Sequence, residues 1–517
     1  MSDLRPLPLE VWQHIFGYLA VRDLKTALRV CHDWCQQIVG TSSLINRMQI
    51  RITGETTLDH RSSGIRFILA RKVCLFKTKI VSVDPWWSAL GALLNDLDLR
   101  ECQVVVPTLM AMLRQAPNLV RLTLDKVQYL ELEDAVAADF QLKRLEYLSL
   151  GMTNGPRIVD ILRPACPALK SFAFSARESV PSEREVIELV RGVQGTLVAL
   201  FVPINAVGRA LLAMDRLKLR AVNLNRVEPE IILDVCRMQP DLQILDVRVS
   251  RLDDSQLCEI GQLLPNLRQL ITNLDGIQHQ EPRFLSALPN LEQLIVSPVG
   301  RDFQQIESLG DFQCRKLKSL QLSWVILHSE EDAWKLLNRS RNIETLKLQE
   351  CVFPQWSKFV DGLNALRSLK RLTLNTITVS NWTDSARWVV NDSTKCLRLW
   401  NLQIPKAQLM QLLAAFSALE ELHLCHMPVV DDGVVLELPR LFPRLSRLLI
   451  WECSNWKASL RHVSEKLPAL VVLKYKFGPV TVRGMQLRAQ RYDLRRGKFD
   501  WCENIMAKLY GLFGYYS

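Results

Sequence analysis

Leu119-Val120-Arg121-Leu122-Thr123-Leu124 is the stretch that decides the fold, because the same Leu-x-x-Leu-x-Leu pattern returns at a constant interval along most of the chain. Clean copies begin at Leu145, Leu291, Leu317, Ile343, Leu369, Leu419 and Leu445, and looser ones at Leu169, Leu197, Leu219, Leu242, Leu267, Thr394 and Leu470. These first positions recur about every 25 residues, within the range of roughly 20–29 residues where one strand and one return segment make a stacking unit. Leu94/Leu97/Leu99 extends the phase upstream, and a weaker unit surrounds Val73 and Leu75. A leucine-rich helix would not hold such a phase. In an extended segment, alternate side chains face opposite sides. The second and third leucines therefore point inward, and the residues between and beside them line the opposite, concave face.

The rest of each unit has to return on the convex side, and helix-like segments such as Thr108–Gln115 serve for that. Ser182-Glu-Arg-Glu185 reads as a capping box, with side chains satisfying the first amides of a helix. Pro117, Pro167, Pro240, Pro265, Pro289, Pro443 and Pro468 each stand two residues before a template leucine, where a residue that cannot continue a helix hands over to the next strand. The ninth template position carries Cys or an apolar group (Cys102, Val127, Val227, Val325, Cys351, Ile377, Cys453) and no repeated Asn. This pattern resembles the ribonuclease-inhibitor and cysteine-containing classes of leucine-rich repeat. The fold class it implies is an α/β solenoid, a horseshoe of about 16 repeats over residues 94–475, with a transitional stretch at 51–93.

Residues 1–50 follow a different logic. In Leu7-Pro8-Leu9-Glu10-Val11-Trp12-Gln13-His14-Ile15-Phe16-Gly17-Tyr18-Leu19, the residues Val11, Ile15, Phe16 and Leu19 recur at helical spacing behind a proline suited to a first turn. Asp23 is placed to cap a second helix carrying Leu24, Ala27 and Leu28, and Val30, Cys31 and Trp34 follow. The reading is three short helices, too small a bundle to be robust alone. The order Leu-Pro-x-Glu-Val, Ile-Phe-x-Tyr-Leu, Asp-Leu, Val-Cys-x-x-Trp resembles the F-box; Trp12 departs from it, where that family usually has an aliphatic residue.

An F-box before leucine-rich repeats resembles the substrate receptors of SCF (Skp1–cullin–F-box) ubiquitin ligases. The resemblance implies that Leu7, Pro8, Ile15, Phe16, Leu19, Leu24, Val30, Cys31 and Trp34 serve the Skp1 interface, some by contact and some by holding the bundle. It also implies a cullin-RING ligase reached through Skp1, a protein substrate held by the repeats, and no catalytic group. The alternative is a repeat scaffold acting outside a ligase.

Candidate substrate-binding residues come from the concave positions. Phe201, Ile271 and Ile295 put apolar groups there, and Arg371, Arg398, Trp400, His423, Arg447, Trp451 and Lys474 make the last third basic and aromatic. Arg and Trp are enriched at interface hot spots, and Arg grips carboxylate or phosphate bidentately. The expected partner segment is therefore acidic or phosphorylated. Residues 476–517 read as a basic tail with seven Lys/Arg against two Asp over 476–500, then a helix opened by Asp500-Trp501-Cys502-Glu503 that covers the last repeat.

The net charge of +11 is spread out, which argues against nucleic acid as the specific partner. No apolar run of about 18 residues spans a membrane. The 13 scattered cysteines and a start without a secretory signal fit free thiols in the cytosol or nucleus. Cys31-His32-x-x-Cys35 offers too few donors for a zinc site; in His423-Leu424-Cys425 strand alternation puts a histidine and a thiol on the exposed concave side, the two parts of a thiol nucleophile without an evident third group; and no phosphate loop appears. No metal or cofactor is expected.

Overall fold

The computed structural model describes residues 8–19, 21–45, 47–60, 70–83, 87–130, 137–151, 157–175, 183–202, 205–274, 283–298, 304–306, 315–327, 341–382, 387–453, 460–467, 470 and 472–474. Leu7, the Ser182 cap and the 476–517 tail fall outside them. The chain divides into two compact units between Leu219 and Arg220.

The first unit opens with helices α1 (Leu9–Tyr18), α2 (Val21–Ala27), α3 (His32–Gly40) and a single turn, α4 (Ser42–Ile45). The expectation of three helices misses α4. Pro8 sits at the N-cap of α1, one residue before the helix proper. Asp23 lies in the first turn of α2 and not at its cap, because α2 begins two residues earlier, at Val21. Phe16, Leu24, Ala27, Ile38, Leu44 and Ile45 are buried as the bundle's core. Arg47 closes the end of α1, its Nη1 donating to the Gly17 carbonyl at 2.9 Å and its Nη2 to that of Leu19 at 2.5 Å. These are the carbonyls a helix leaves without internal donors.

A parallel ladder follows directly. Gln49–Leu58 pairs with Lys72–Ile80, which pairs with Asp96–Arg100. The series continues through Arg121–Asp125, Tyr147–Gly151, Ser171–Ser175 and Ala199–Phe201. The sheet thus already runs through the stretch that sequence left as transitional. Its register places Leu97, Leu122, Leu148, Phe172 and Leu200 side by side, all fully or almost fully buried.

The second unit repeats the arrangement from Ala221–Asn223 to Val472–Lys474. Leu245, Leu270, Leu294, Leu320, Leu346, Leu372, Leu397, Leu422, Leu448 and Leu473 stand in register on successive parallel strands. This column is the reason for the period. Each unit can bury its leucines only against the leucines of its neighbours. The return segments include the helices Val106–Arg114, Glu183–Val193, Pro229–Met238, Asp254–Leu263, Trp356–Ala365, Lys406–Ala414 and Asp432–Leu441. Helices are not the whole of it: Gln304–Ile306, Val325–Leu327, Val352–Gln355 and Thr378–Asn381 form a second, short parallel sheet on the return path. Strand-forming sequences such as Val325-Ile326-Leu327 and Thr378-Val379 favour an extended return over a helical one.

The eighth template position carries a backbone signature. Glu101, Lys126, Arg226, Trp324, Glu350, Thr376, Asn401, His426 and Glu452 all adopt φ between 50° and 65° although none is glycine. That conformation costs an L-residue roughly 1–2 kcal/mol. It turns the chain off the strand so that the amide donates sideways into the next unit. The N–H of Glu350 reaches the Asn375 carbonyl, that of Thr376 the Trp400 carbonyl and that of Asn401 the Cys425 carbonyl, each at 2.8 Å. The ninth residue then points back inward. There the thiols of Cys102, Cys351 and Cys453 donate to the carbonyls of Leu75, Leu322 and Leu424, the third template leucines of the preceding units, at 3.4–3.5 Å. Cysteine at this position is small enough to bury and still carries a donor.

Candidate protein-interaction surfaces

Helix α1 is apolar on two adjacent stripes. Trp12 and Phe16 face inward and pack on Trp34, with ring centroids 5.1–5.5 Å apart within the trio. Trp12, the departure from the F-box pattern, is thereby accommodated as part of an aromatic core. The neighbouring stripe has no such cover. Val11, Ile15 and Tyr18, at helical spacing, are exposed, Ile15 by 39% and Tyr18 by 78%, and Val30 beyond α2 by 58%. Exposed apolar groups side by side on one helix, as Val11, Ile15 and Tyr18 are, are a feature of protein-interaction surfaces.

Burial also divides the residues that sequence could only list together. Pro8, Ile15, Val30 and Cys31 are exposed, Leu19 and Trp34 are half-buried, and Phe16 and Leu24 are core. The last two hold the bundle and cannot themselves reach a partner. Each lies on the inward face of its own helix, and that position, not its chemistry, decides this.

In the first unit the concave face carries closely packed polar groups beside apolar ones. Arg100 Nε donates to Asp98 Oδ1 at 2.7 Å, and the Arg121 guanidinium lies over the Tyr147 ring at 4.9 Å. Asp125, only 8% exposed, has an Oδ1 with no hydrogen-bond partner. Burial pushes its carboxyl up to about 6 in spite of the attraction of Arg100 and Lys126.

Phe201, Ile271 and Ile295 do not present the apolar recognition surface expected of them. They are 1%, 0% and 5% exposed. Strands stand about 4.8 Å apart, so a concave side chain has a neighbour on each flank and apolar ones close over each other. Ile271 lies in register between Asp246 and Ile295, and Phe201 beside Ala173. Around Asp246 in the second unit the polar groups satisfy one another. Its carboxylate accepts from Asn223 and Asn225 and pairs with Arg248 at 2.8 Å, and Asn225 Oδ1 accepts the Val249 amide. This is a structural ladder, fully occupied internally.

Further along the second unit the concave face opens. Lys347, Thr373, Arg398 and His423 occupy one column on four successive strands, each half-buried. Arg398 donates through Nη2 and Nε to Glu421 Oε1 at 2.7 and 3.2 Å, His423 Nε2 lies 3.1 Å from the same oxygen, and Arg447 Nη1 reaches Oε2 at 3.3 Å. The His423 hydrogen bond, then that of Arg398, holds the Glu421 carboxyl well below the usual carboxylate range, against the opposing effect of burial. Sequence reading put Arg398, His423 and Arg447 on this face without seeing Glu421, which is the acid that orients all three. The signal was available: Glu421 lies two residues before His423, on the same side of one strand.

Trp400, two residues beyond Arg398, packs against the His426 ring at 5.3 Å and is half-buried, as is Trp451. Arg371 is exposed on the adjacent column. The Lys474 side chain lies outside the described residues. Cys425, expected on the exposed side, is 1% exposed, and burial pushes its thiol up to about 12. It is flanked in register by Trp400 and Trp451, which cover so small a group. At neutral pH it is a protonated, enclosed thiol, not a nucleophile. Among the described residues no group of three His, Cys, Asp or Glu is placed to hold a metal ion.

Fold and surfaces together define a protein-interaction molecule: a small helical bundle with a bare apolar stripe, joined to a ladder of strands with a concave polar face. Residues 4–51 match the family model described as F-box-like. The chain therefore carries an F-box-like domain followed by leucine-rich repeats, both of a kind that is typically non-catalytic. No curated protein matches the sequence. Among solved structures, the TLR13–ssRNA13 complex is matched at 17% identity over 86% of this chain and 62% of that chain, with a TM-score of 0.45. This chain thus spans less than two thirds of that protein. A leucine-rich-repeat protein of Leptospira interrogans is matched at 17% identity over 69% and 89% of the two chains, with a TM-score of 0.35. An internalin from Listeria monocytogenes is matched at 11% identity over 91% and 94%, with a TM-score of 0.27.

Proposed function

We propose that this protein is a substrate-recognition subunit of an SCF-type ubiquitin ligase. Its F-box-like bundle docks on a Skp1-type adaptor, and its repeats hold a protein target for ubiquitination and degradation. The observation that carries the proposal is the bare stripe Val11–Ile15–Tyr18 with Val30, on a bundle whose sequence matches the F-box-like family. Full burial of an exposed side chain of this size stabilises a complex by roughly 1.5–3 kcal/mol; Val11 and Ile15, already more than half covered in the bundle, would contribute a fraction of that and the more exposed Val30 a larger share. The chain's part in the reaction is positional. Holding a target beside a conjugating enzyme raises the effective concentration of its lysines, with no bond-making group required here. The described cysteines are all free, which suits work in the reducing cytosol or nucleus.

The test is capture of purified Skp1 by the full chain, with Val30→Asp and Ile15→Ala as variants. We expect native capture, and for Val30→Asp a loss on the order of tenfold or more, the equivalent of about 1.4 kcal/mol. Failure of the unaltered protein to capture Skp1 would dismiss the ligase reading. Capture of Skp1 without recruitment of a cullin would favour a repeat scaffold that uses its F-box outside a ligase.

A further inference from the structure

We infer that the concave column Lys347–Thr373–Arg398 of the second unit is a binding site for a phosphorylated side chain of a protein partner. This deepens the reading of the repeats as a target-binding surface and rests on it.

The starting point is an imbalance. Most described basic side chains beside the strands have an acid within reach: Lys318 with Glu292, Lys370 with Glu344 and Arg447 with Glu421 are ion-paired. Lys347 is not. It stands half-buried on the strand Thr345–Gln349 and, among the described residues, has no hydrogen-bond or ion-pair partner. Its column neighbours are Gln321 on one side and Thr373 on the other, neither of them an anion. Burial, and then the positive charge of Arg398 beyond Thr373, lowers its ammonium pKa. Two cationic side chains therefore share one column with Thr373 between them, in a setting that removes water from at least one of them, while the guanidinium of Arg398 is turned toward Glu421 on its other flank. An unpaired cation in such a place is costly unless an anion joins it.

Arg398 is prepared for that anion. Its Nε and Nη2 are both committed to Glu421 Oε1, which fixes the plane of the guanidinium and leaves the remaining terminal nitrogen without a carboxylate. Glu421 is itself shared with His423 and Arg447, so it does not neutralise the column. The set offered to a ligand is an ammonium, a hydroxyl and one edge of an oriented guanidinium, on three strands that successively stand about 4.8 Å apart. A phosphomonoester matches this set better than a carboxylate, since it brings about −1.5 to −2 charges and three acceptor oxygens. A carboxylate brings one charge and leaves a cation uncompensated. Trp400, on the same face two residues beyond Arg398, supplies an apolar wall for the flanking residues of a peptide.

The experiment uses the full chain and fluorescence anisotropy with two labelled pools of short peptides that differ only in phosphate on a central threonine, and a labelled single-stranded DNA. The phosphorylated pool is expected to bind more than tenfold tighter than its unphosphorylated twin. Lys347→Met keeps the apolar stem and should cost that pool about tenfold or more while leaving the twin unchanged. Lys347→Arg should restore most of the difference, and Thr373→Val, nearly isosteric, should reduce it a few-fold. Equal binding of the two pools would overturn the inference. So would unchanged phosphopeptide affinity in a Lys347→Met protein that melts like the parent. DNA binding tighter than phosphopeptide binding, and lost in Lys347→Met, would reassign the column to a polyanion. Skp1 capture is read at the F-box and peptide binding at the second unit, so either conclusion can fail without the other.

Discussion

Replacing Asp125 by asparagine should stabilise this protein at neutral and alkaline pH, and the gain should vanish in acid. Asp125 ends the strand Arg121–Asp125 on the concave side of the first unit, is 8% exposed, and keeps one carboxylate oxygen without a hydrogen-bond partner. Burial moves its carboxyl from an ordinary 3.8 to about 6. A carboxyl whose pKa is raised by folding binds its proton more tightly in the folded chain. It therefore opposes folding whenever it is ionised, and the opposition fades as the pH falls from about 6 toward 4. The shift is about two units, and at roughly 1.4 kcal/mol per unit the ionised group costs about 3 kcal/mol above pH 7. Asparagine removes the charge but still leaves a buried amide to satisfy, at a cost of about 1–2 kcal/mol. A net gain of about 1–2 kcal/mol should therefore remain at pH 8, and should disappear or reverse near pH 4. Urea unfolding of both proteins across that range measures it, with the midpoint of the transition that reports the first unit as readout. A variant less stable than the parent at pH 8, or a difference that stays flat down to pH 4, would refute the reasoning.

Two other substitutions test the packing of the ladder. Thr376→Gly should raise stability by about 0.5–1 kcal/mol, because Thr376 holds φ at 51° and a β-branched residue is strained there; part of that relief is offset by the greater freedom of glycine in the unfolded chain, and thermal melting reads the balance. Gly261→Ala should destabilise by about 1–3 kcal/mol, since an added Cβ would stand 2.7 Å from both the Cβ and the carbonyl oxygen of Ala287, on the segment packed against this helix. A Gly261→Ala protein with an unchanged melting temperature would mean that the two return segments can part at no cost.

Much of the core was legible because its signal is repeated. Leu346, Leu372 and Leu397 are buried for the same reason, and a period of about 25 residues makes that reason visible without coordinates. The αL turn was not legible. Glu101, Trp324, Thr376 and His426 share a backbone conformation but no side-chain chemistry, and no glycine marks it. The ladder imposes the turn through the sideways amide bond to the next unit, and whichever residue falls in that place accepts the strain. The extended returns at Val325–Leu327 and Val352–Gln355 escaped for a related reason, since so short a strand is stable only where the neighbouring return is also extended.

The recognition face divides in the same way. Sequence alone determined that Arg398, His423, Arg447 and Trp400 lie on one side of adjoining strands, because strand alternation and a constant repeat length are properties of covalent order. It also determined the F-box-like front, whose pattern is local. Only the tertiary structure decided that Phe201, Ile271 and Ile295 are closed over, that Glu421 already holds two arginines and a histidine, and that Lys347 has no counter-charge among the described residues. Burial and ion pairing depend on what stands on the next strand and how far the side chains reach. Those distances are set when the units stack, by residues some 25 positions away.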